Sequence, residues 1–343
     1  MTSLMAQEIK EEAKKLTESI QINQKILDRI GSIVREKNIQ YVIYAARGSS
    51  DNAGVYFKYL CEIETGMPVA FAAPSVLTLY KGELKMNHTL VIGVSQSGKA
   101  KDVLSIIEHA KAQNALTVSI TNDETSPLAL SSDFHLGLSV GLEKSVAATK
   151  TFTAQMFLLA HLVASISNNV ALKTELSQIP ELIEKTYLCE DAIHQAALNF
   201  TSIQDCYVLG RGYAYAVADE FALKMQETSY LKAMSFATSD FYHGPFALVN
   251  KDANFFVIAP NDETITNSKE IIEQIEALGA SCLVFTNDKT IEAKAKILLP
   301  ESPKRITVFT LIVAIQMFSM HLSISKGMNP DQPRGLKKVT ITV

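Results

Sequence analysis

Apolar and polar positions alternate along this chain in two similar blocks. Residues 41–46 (Tyr41-Val-Ile-Tyr-Ala-Ala46) form an unbroken β-prone run, and residues 89–94 and 116–120 form two more. Short apolar runs bounded by turn residues fit strands buried on both faces. A lesser run lies at 69–72. Helical spacing fills 51–64 and a stretch ending at Ala112. The second half repeats the scheme, with strands at 207–210, 255–259 and 282–285 and a long helix over about 216–230. Strands that alternate with helices predict an α/β fold. Each half should be a parallel sheet flanked by helices, a flavodoxin-like three-layer sandwich.

The likeness of the halves extends to single residues. Arg47-Gly48 and Arg211-Gly212 follow the first strand of each block, and Asn122-Asp123 and Asn287-Asp288 follow a later one. The offset between the pairs changes by only one residue, as expected of a duplicated domain. The predicted organisation is an N-terminal helix over 1–28, a first domain over 29–168, a second over 195–328 and a tail over 329–343. The tail holds two prolines and no helical pattern, so it reads as ordered but irregular. The copies differ in chemistry. Only the first has Gly/Ser-rich turns after both of its major strands, which suggests one binding site per chain.

Composition narrows the function classes. Apolar residues make up 47% of the 343, charged residues 20%, and the net charge is −4. There is no basic block to attract nucleic acid or an anionic membrane. The four cysteines, at 61, 189, 206 and 282, have no CxxC spacing, and they read as buried free thiols. No cluster of His, Asp and Glu suggests a metal, and no cofactor is expected. The N-terminus lacks an apolar signal core. The longest apolar stretches, 152–166 and 306–324, carry Gln155, His161, Gln316 and His321. They read as buried helices, too short and too polar to span a bilayer. A cytoplasmic protein is expected.

The turn Ser95-Gln96-Ser97-Gly98 follows a buried strand and is expected to open a helix. Ligands of open α/β sheets bind at that edge, and a helix N-terminus favours phosphate. Lys99 and Ala100 continue the turn, and Arg47-Gly48-Ser49-Ser50 stands one strand away. The other reading of these serines is helix capping, a role Ser favours. No GxGxxG follows either strand, which argues against a dinucleotide. Farther on, Glu220, Lys224 and Glu227 share a helix face. That spacing fits a solvated ion-pair ladder as well as a catalytic cluster.

Five motifs occur in order: Ser95-Gln-Ser-Gly98, Val146-Ala-Ala-Thr-Lys150, Ala222-Leu-Lys-Met-Gln-Glu227, His243-Gly-Pro245, and Asp331-Gln-Pro-Arg334 followed by Lys338. In these motifs the chain resembles enzymes built from two tandem sugar isomerase (SIS) domains. It is similar to the isomerase half of glutamine–fructose-6-phosphate aminotransferase over nearly its whole length. That enzyme has a nucleophilic Cys after its initiator Met, where Thr2 stands here, so this chain is not expected to take ammonia from glutamine by itself. Arg47, Ala100 and Ala148 also replace a Cys, a Thr and a Ser of the aminotransferase pattern. In these the chain resembles SIS-type glucosamine-6-phosphate deaminases.

The resemblance implies roles. Arg47, Gly48, Ser49, Ser50, Ser95, Gln96, Ser97, Gly98, Lys99, Ala100, Val146 and Ala148 would bind a sugar phosphate. Glu227 would move a proton between C1 and C2 of the open sugar, with Lys224 in the same pocket and Glu220 orienting it. His243 would open the ring in a neighbouring subunit, which implies a homodimer. Lys338 matches a lysine that forms a Schiff base with the keto sugar. The implied reaction is hydrolytic deamination of glucosamine 6-phosphate to fructose 6-phosphate and ammonia. A fructosamine-6-phosphate deglycase, an isomerase module whose glutaminase lies elsewhere, and a non-enzymatic sugar-phosphate sensor are the other readings.

Overall fold

The computed structural model describes residues 3–338. They form two compact units. One gathers residues 14–143 and 150–176 with 337–338; the other gathers 3–13 with 144–149 and 177–336.

The first unit holds a five-stranded parallel sheet: β1 Tyr41–Ala45, β2 Val69–Phe71, β3 Thr89–Val94, β4 Leu116–Thr121 and β5 Phe134–Gly137, in spatial order β2-β1-β3-β4-β5. The second holds β6 Asp205–Gly210, β7 Lys232–Ala237, β8 Asn254–Ala259, β9 Ser281–Thr286 and β10 Lys296–Leu298, also all parallel, in order β10-β9-β8-β6-β7. Read from its own first strand, the second order repeats the first. Both have the flavodoxin-like arrangement, whose ligand edge lies where the winding reverses beside the first strand. The α/β, duplicated, three-layer expectation therefore holds.

Three strands, β5, β7 and β10, are absent from the sequence reading. All are edge strands, and each carries polar or exposed positions, so none shows the continuous apolar run of a central strand. In the first unit Asn23, on the helix Glu12–Glu36, pins β5 by exchanging hydrogen bonds with the Gly137 backbone, at 2.8 and 3.1 Å.

Two helices are buried on every side. All residues of Lys150–Ile166 in the first unit are buried, and its C-terminal carbonyls of Ser165 and Ile166 accept from the Arg35 guanidinium at 2.5 and 3.0 Å. A cation there also suits the helix dipole. In the second unit the helix Thr307–Ser325 is long and apolar enough to cross a membrane, so length is no bar, contrary to the expectation from sequence. Burial decides the matter: 89% of its apolar window lies inside the protein, which makes it a core helix. Its Phe318 joins Phe221, Phe256 and Phe285 in an edge-on cluster with centroids 5.2–5.6 Å apart. Such pairs contribute about 0.5–1.5 kcal/mol each beyond burial. Phe221 lies on the helix Tyr213–Ser229, so this cluster fixes that helix against its sheet.

Candidate active site

In the first unit, β3 ends at Val94 and the turn begins. The helix that follows, Lys101–Ala112, starts later than expected: its N-cap is Ala100, with no side-chain cap. Ser95 and Ser97 are therefore not capping residues. Their turn is a separate structure with its own bonds. Ser95 N–H donates to Ile120 O, Asn122 N–H to Gln96 O, Gly98 N–H to Ser95 O and Leu128 N–H to Gly98 O, all at 3.0–3.2 Å. Gly98 has φ +63°, and a Cβ there would lie 2.0 Å from Ser126 Oγ. Only glycine fits. The result is a rigid, partly exposed loop. The amide N–H groups of Gln96 and Ser97 have no partner among the described residues. Such groups suit an anion.

The matching turn of the second unit, after β8, is closed to that use. Asn261 N–H donates to Asn287 Oδ1 at 2.8 Å and Asp262 N–H to Pro260 O at 2.9 Å. The Asp262 carboxylate is itself bound by Thr264, at 2.7 Å from N–H and 2.6 Å from the hydroxyl. The turns after β1 and β6 have kept one shape: Gly48 has φ 57°, ψ −135° and Gly212 has φ 60°, ψ −130°. Arg47 is braced by Asp102, which accepts from Nε at 2.7 Å while half of the arginine side chain stays exposed. Asp102 belongs to the helix Lys101–Ala112, so it ties the two turns of the first unit together. Burial pushes the Asp51 carboxyl up, with Arg47 opposing. A surface cleft of about 660 Å³ lies at the other edge of this sheet, lined by Gln40, Tyr41 and Pro68 at the amino ends of β1 and β2.

Lys338, also in the first unit, meets Glu143 at 2.5 Å. Glu143 is fully buried and accepts from Thr151 N–H at 3.0 Å and Thr151 Oγ at 2.6 Å. Burial would raise its carboxyl, but Lys338 and Thr151 outweigh that and hold it below the usual range. Sequence reasoning missed Glu143 and Asp102. The ion-pair partner of each lies far along the chain: Arg47 is 55 positions from Asp102, and Lys338 is 195 from Glu143.

In the second unit, the helix Tyr213–Ser229 carries the Glu220–Lys224–Glu227 cluster. It is not a solvated ladder. Glu220 and Lys224 are buried, and the Glu227 side chain is 19% exposed. Lys224 Nζ lies 3.2 Å from Glu220 Oε1 and is hydrogen-bonded to Glu227 Oε2. Burial would lower the lysine, but the two carboxylates overcome it and raise Lys224 well above its ordinary value. Lys224 is thus a fixed ammonium, unsuited to act as a base or nucleophile. Of the three side chains, only Glu227 keeps an open edge. The backbone of Val146, in the loop before Thr149, donates to Asp331 O at 3.1 Å, and Ala148 follows in the same loop. His243 is exposed, between the helix Thr238–Phe241 and the 3-10 turn Pro245–Leu248. Among the described residues no group of three or more His, Cys, Asp or Glu is placed to hold a metal ion.

The SIS domain family matches residues 33–165 and 200–326, most of the chain and one segment in each copy. The protein belongs to the SIS domain family. This chain is 32% identical over 321 residues to the glutamine–fructose-6-phosphate aminotransferase (isomerizing) of Bradyrhizobium diazoefficiens, covering 90% of this chain and 52% of that protein. It therefore spans about half the length of that curated relative. Its fold superposes on the C-terminal domain of glucosamine-fructose-6-phosphate aminotransferase from Francisella tularensis with a TM-score of 0.87 at 26% identity, over 97% of this chain and 98% of the other. The glucosamine-6-phosphate deaminase of Thermotoga maritima shares the fold, with a TM-score of 0.75 at 24% identity, over 96% of this chain and all of that one.

Proposed function

We propose that this SIS protein deaminates glucosamine 6-phosphate to fructose 6-phosphate and ammonia. The observation that carries the proposal is Glu227, a carboxylate with an open edge held by a buried, permanently charged lysine. In the proposed reaction the 95–100 turn, with Arg47, Gly48, Ser49 and Ser50, holds the phosphate through amides, hydroxyls and one braced cation. Val146 and Ala148 contact the sugar. His243, from a neighbouring copy in a homodimer, helps to open the ring. Glu227 takes the proton from C2 of the open aldehyde and returns it to C1. The C2 amine becomes an imine, water adds to C2, and ammonia leaves. A carboxylate suits this transfer because the proton is α to a carbonyl. Lys224 stabilises the developing oxyanion as a fixed charge. Lys338 would need to leave Glu143 and lose a proton before it could form an imine.

A second reading rests on the relatives. The chain covers about half of an aminotransferase, so it could serve as an isomerase module supplied with ammonia by another chain. The test is ammonia and fructose 6-phosphate release from glucosamine 6-phosphate without glutamine. Stoichiometric release supports the deaminase. Sugar isomerisation without ammonia release favours the module. Cleavage of a fructosamine 6-phosphate alone replaces both with a deglycase, and binding without any turnover leaves a sensor.

A further inference from the structure

The loop that carries Val146 is clamped from two sides within the second unit. The clamp begins at the N-terminal helix Leu4–Lys10. Glu8, buried at 5% exposure, turns its carboxylate onto the loop. It accepts from the Lys144 amide, from the Ser145 amide at 3.2 Å and from the Ser145 hydroxyl. Ser145 is itself fully buried, and its hydroxyl also lies 3.0 Å from Ala147 O. The other side is Asp331. Its backbone carbonyl accepts from Val146, and its carboxylate caps the helix bearing Glu8, taking Leu4 N–H at 2.8 Å and Met5 N–H at 2.9 Å.

The same tail reaches the end of the helix that carries Glu227. Tyr230, its C-cap, has φ +55°, a region that bulky side chains seldom adopt. Its hydroxyl accepts from Arg334 N–H at 2.9 Å, and the Arg334 guanidinium lies 4.3 Å above its ring. Three chain segments far apart in sequence are thus joined around residues 144–146, by bonds to the Glu8 and Asp331 carboxylates and one backbone bond. A buried carboxylate bound to loop amides and a loop hydroxyl is costly for the fold unless that loop must be held in one shape.

We infer that Glu8 is a positioning residue for sugar-phosphate binding: it fixes the 144–147 loop so that the Val146 and Ala148 backbone is preorganised for the sugar. The inference rests on the assignment of Val146 and Ala148 to the ligand. Glu8 touches no substrate and acts through the loop. Loss of its bonds lets the loop open, and binding must then bear the ordering cost.

The test is Glu8→Ala in the full chain, with hydrogen exchange, glucosamine 6-phosphate affinity and steady-state kinetics. Exchange at the Lys144 and Ser145 amides should quicken at least about tenfold, and Kd and KM should rise about tenfold, while kcat changes less than about threefold. Glu8→Gln, which keeps one acceptor oxygen and the side-chain volume, should recover part of the affinity. Ser145→Ala, which removes only the hydroxyl, should show a smaller shift. These two variants decide the matter by the same readouts if Glu8→Ala does not fold. Unchanged exchange and affinity overturn the inference. So does faster exchange with unchanged Kd and KM, because the clamp would then be structural alone. If wild-type protein binds the sugar phosphate without turnover, the deaminase reading fails, and Kd still decides the role of Glu8.

Discussion

The turns after β3 and β8 occupy matching places in two copies of one fold, yet they treat their backbone amides in opposite ways. After β8, the amides of Asn261 and Asp262 are satisfied inside the protein, and a carboxylate stands among them. After β3, the amides of Gln96 and Ser97 have no partner among the described residues. The helices after β1 and β6 diverge in the reverse sense. Tyr56 and Leu60 are fully buried in the first copy, where the second buries Glu220 and Lys224 at corresponding positions. The fold thus accepts an apolar face on this helix. A buried ion pair is seldom worth more to stability than apolar residues of the same volume. The charges of the second copy fit the proposed chemistry, as do the unpartnered amides of the first.

The comparison can be broken most sharply at Lys224. Lys224→Met takes the ammonium away from buried Glu220 and should cost about 3–5 kcal/mol of stability, read by denaturant unfolding. Glu220→Met with Lys224→Met restores the apolar face of the first copy and should recover most of that loss, with no return of turnover. If the double variant stays as unstable as the single one, the charges serve the fold and the contrast between the helices loses its meaning.

Gly98→Ala tests the turns. The added methyl group meets Ser126 and requires positive φ, so sugar-phosphate affinity should fall about a hundredfold, near 3 kcal/mol, by calorimetry. Near-normal affinity would mean that the turn does not hold the phosphate.

Lys338→Met probes Glu143 and should be the mildest. The folded carboxyl is depressed below 4.5, so the pair contributes stability that is full above that pH and lost as pH falls through the depressed value. The variant should be about 2–3 kcal/mol less stable at pH 7. The deficit should shrink below pH 4.5. A deficit independent of pH would dissociate Glu143 from Lys338.

The central strands were legible because each is buried on both faces and reads as an unbroken apolar run. The edge strand Lys232–Ala237 was not, since Lys232 and Ser235 interrupt it. The duplication was legible from Arg47-Gly48 and Arg211-Gly212, whose glycines share one unusual backbone conformation. The candidate site was legible where a motif is local, as in residues 95–98 and 220–227. It was not where the interaction spans the chain. Glu143 meets Lys338, and Glu8 meets Ser145, across separations that no periodicity records. The capping alternative for Ser95 and Ser97 also needed coordinates, because only they place the helix start at Lys101.

In the proposed reaction the Ser-rich turn binds while Glu227 performs the proton transfer. Glu227→Gln, assayed with glucosamine 6-phosphate for both affinity and ammonia release, tests it most directly. Turnover should fall about a thousandfold with Kd within about threefold of wild type, since binding rests on the turn. Turnover near wild type, or lost affinity with undiminished chemistry in the residual complex, would contradict it.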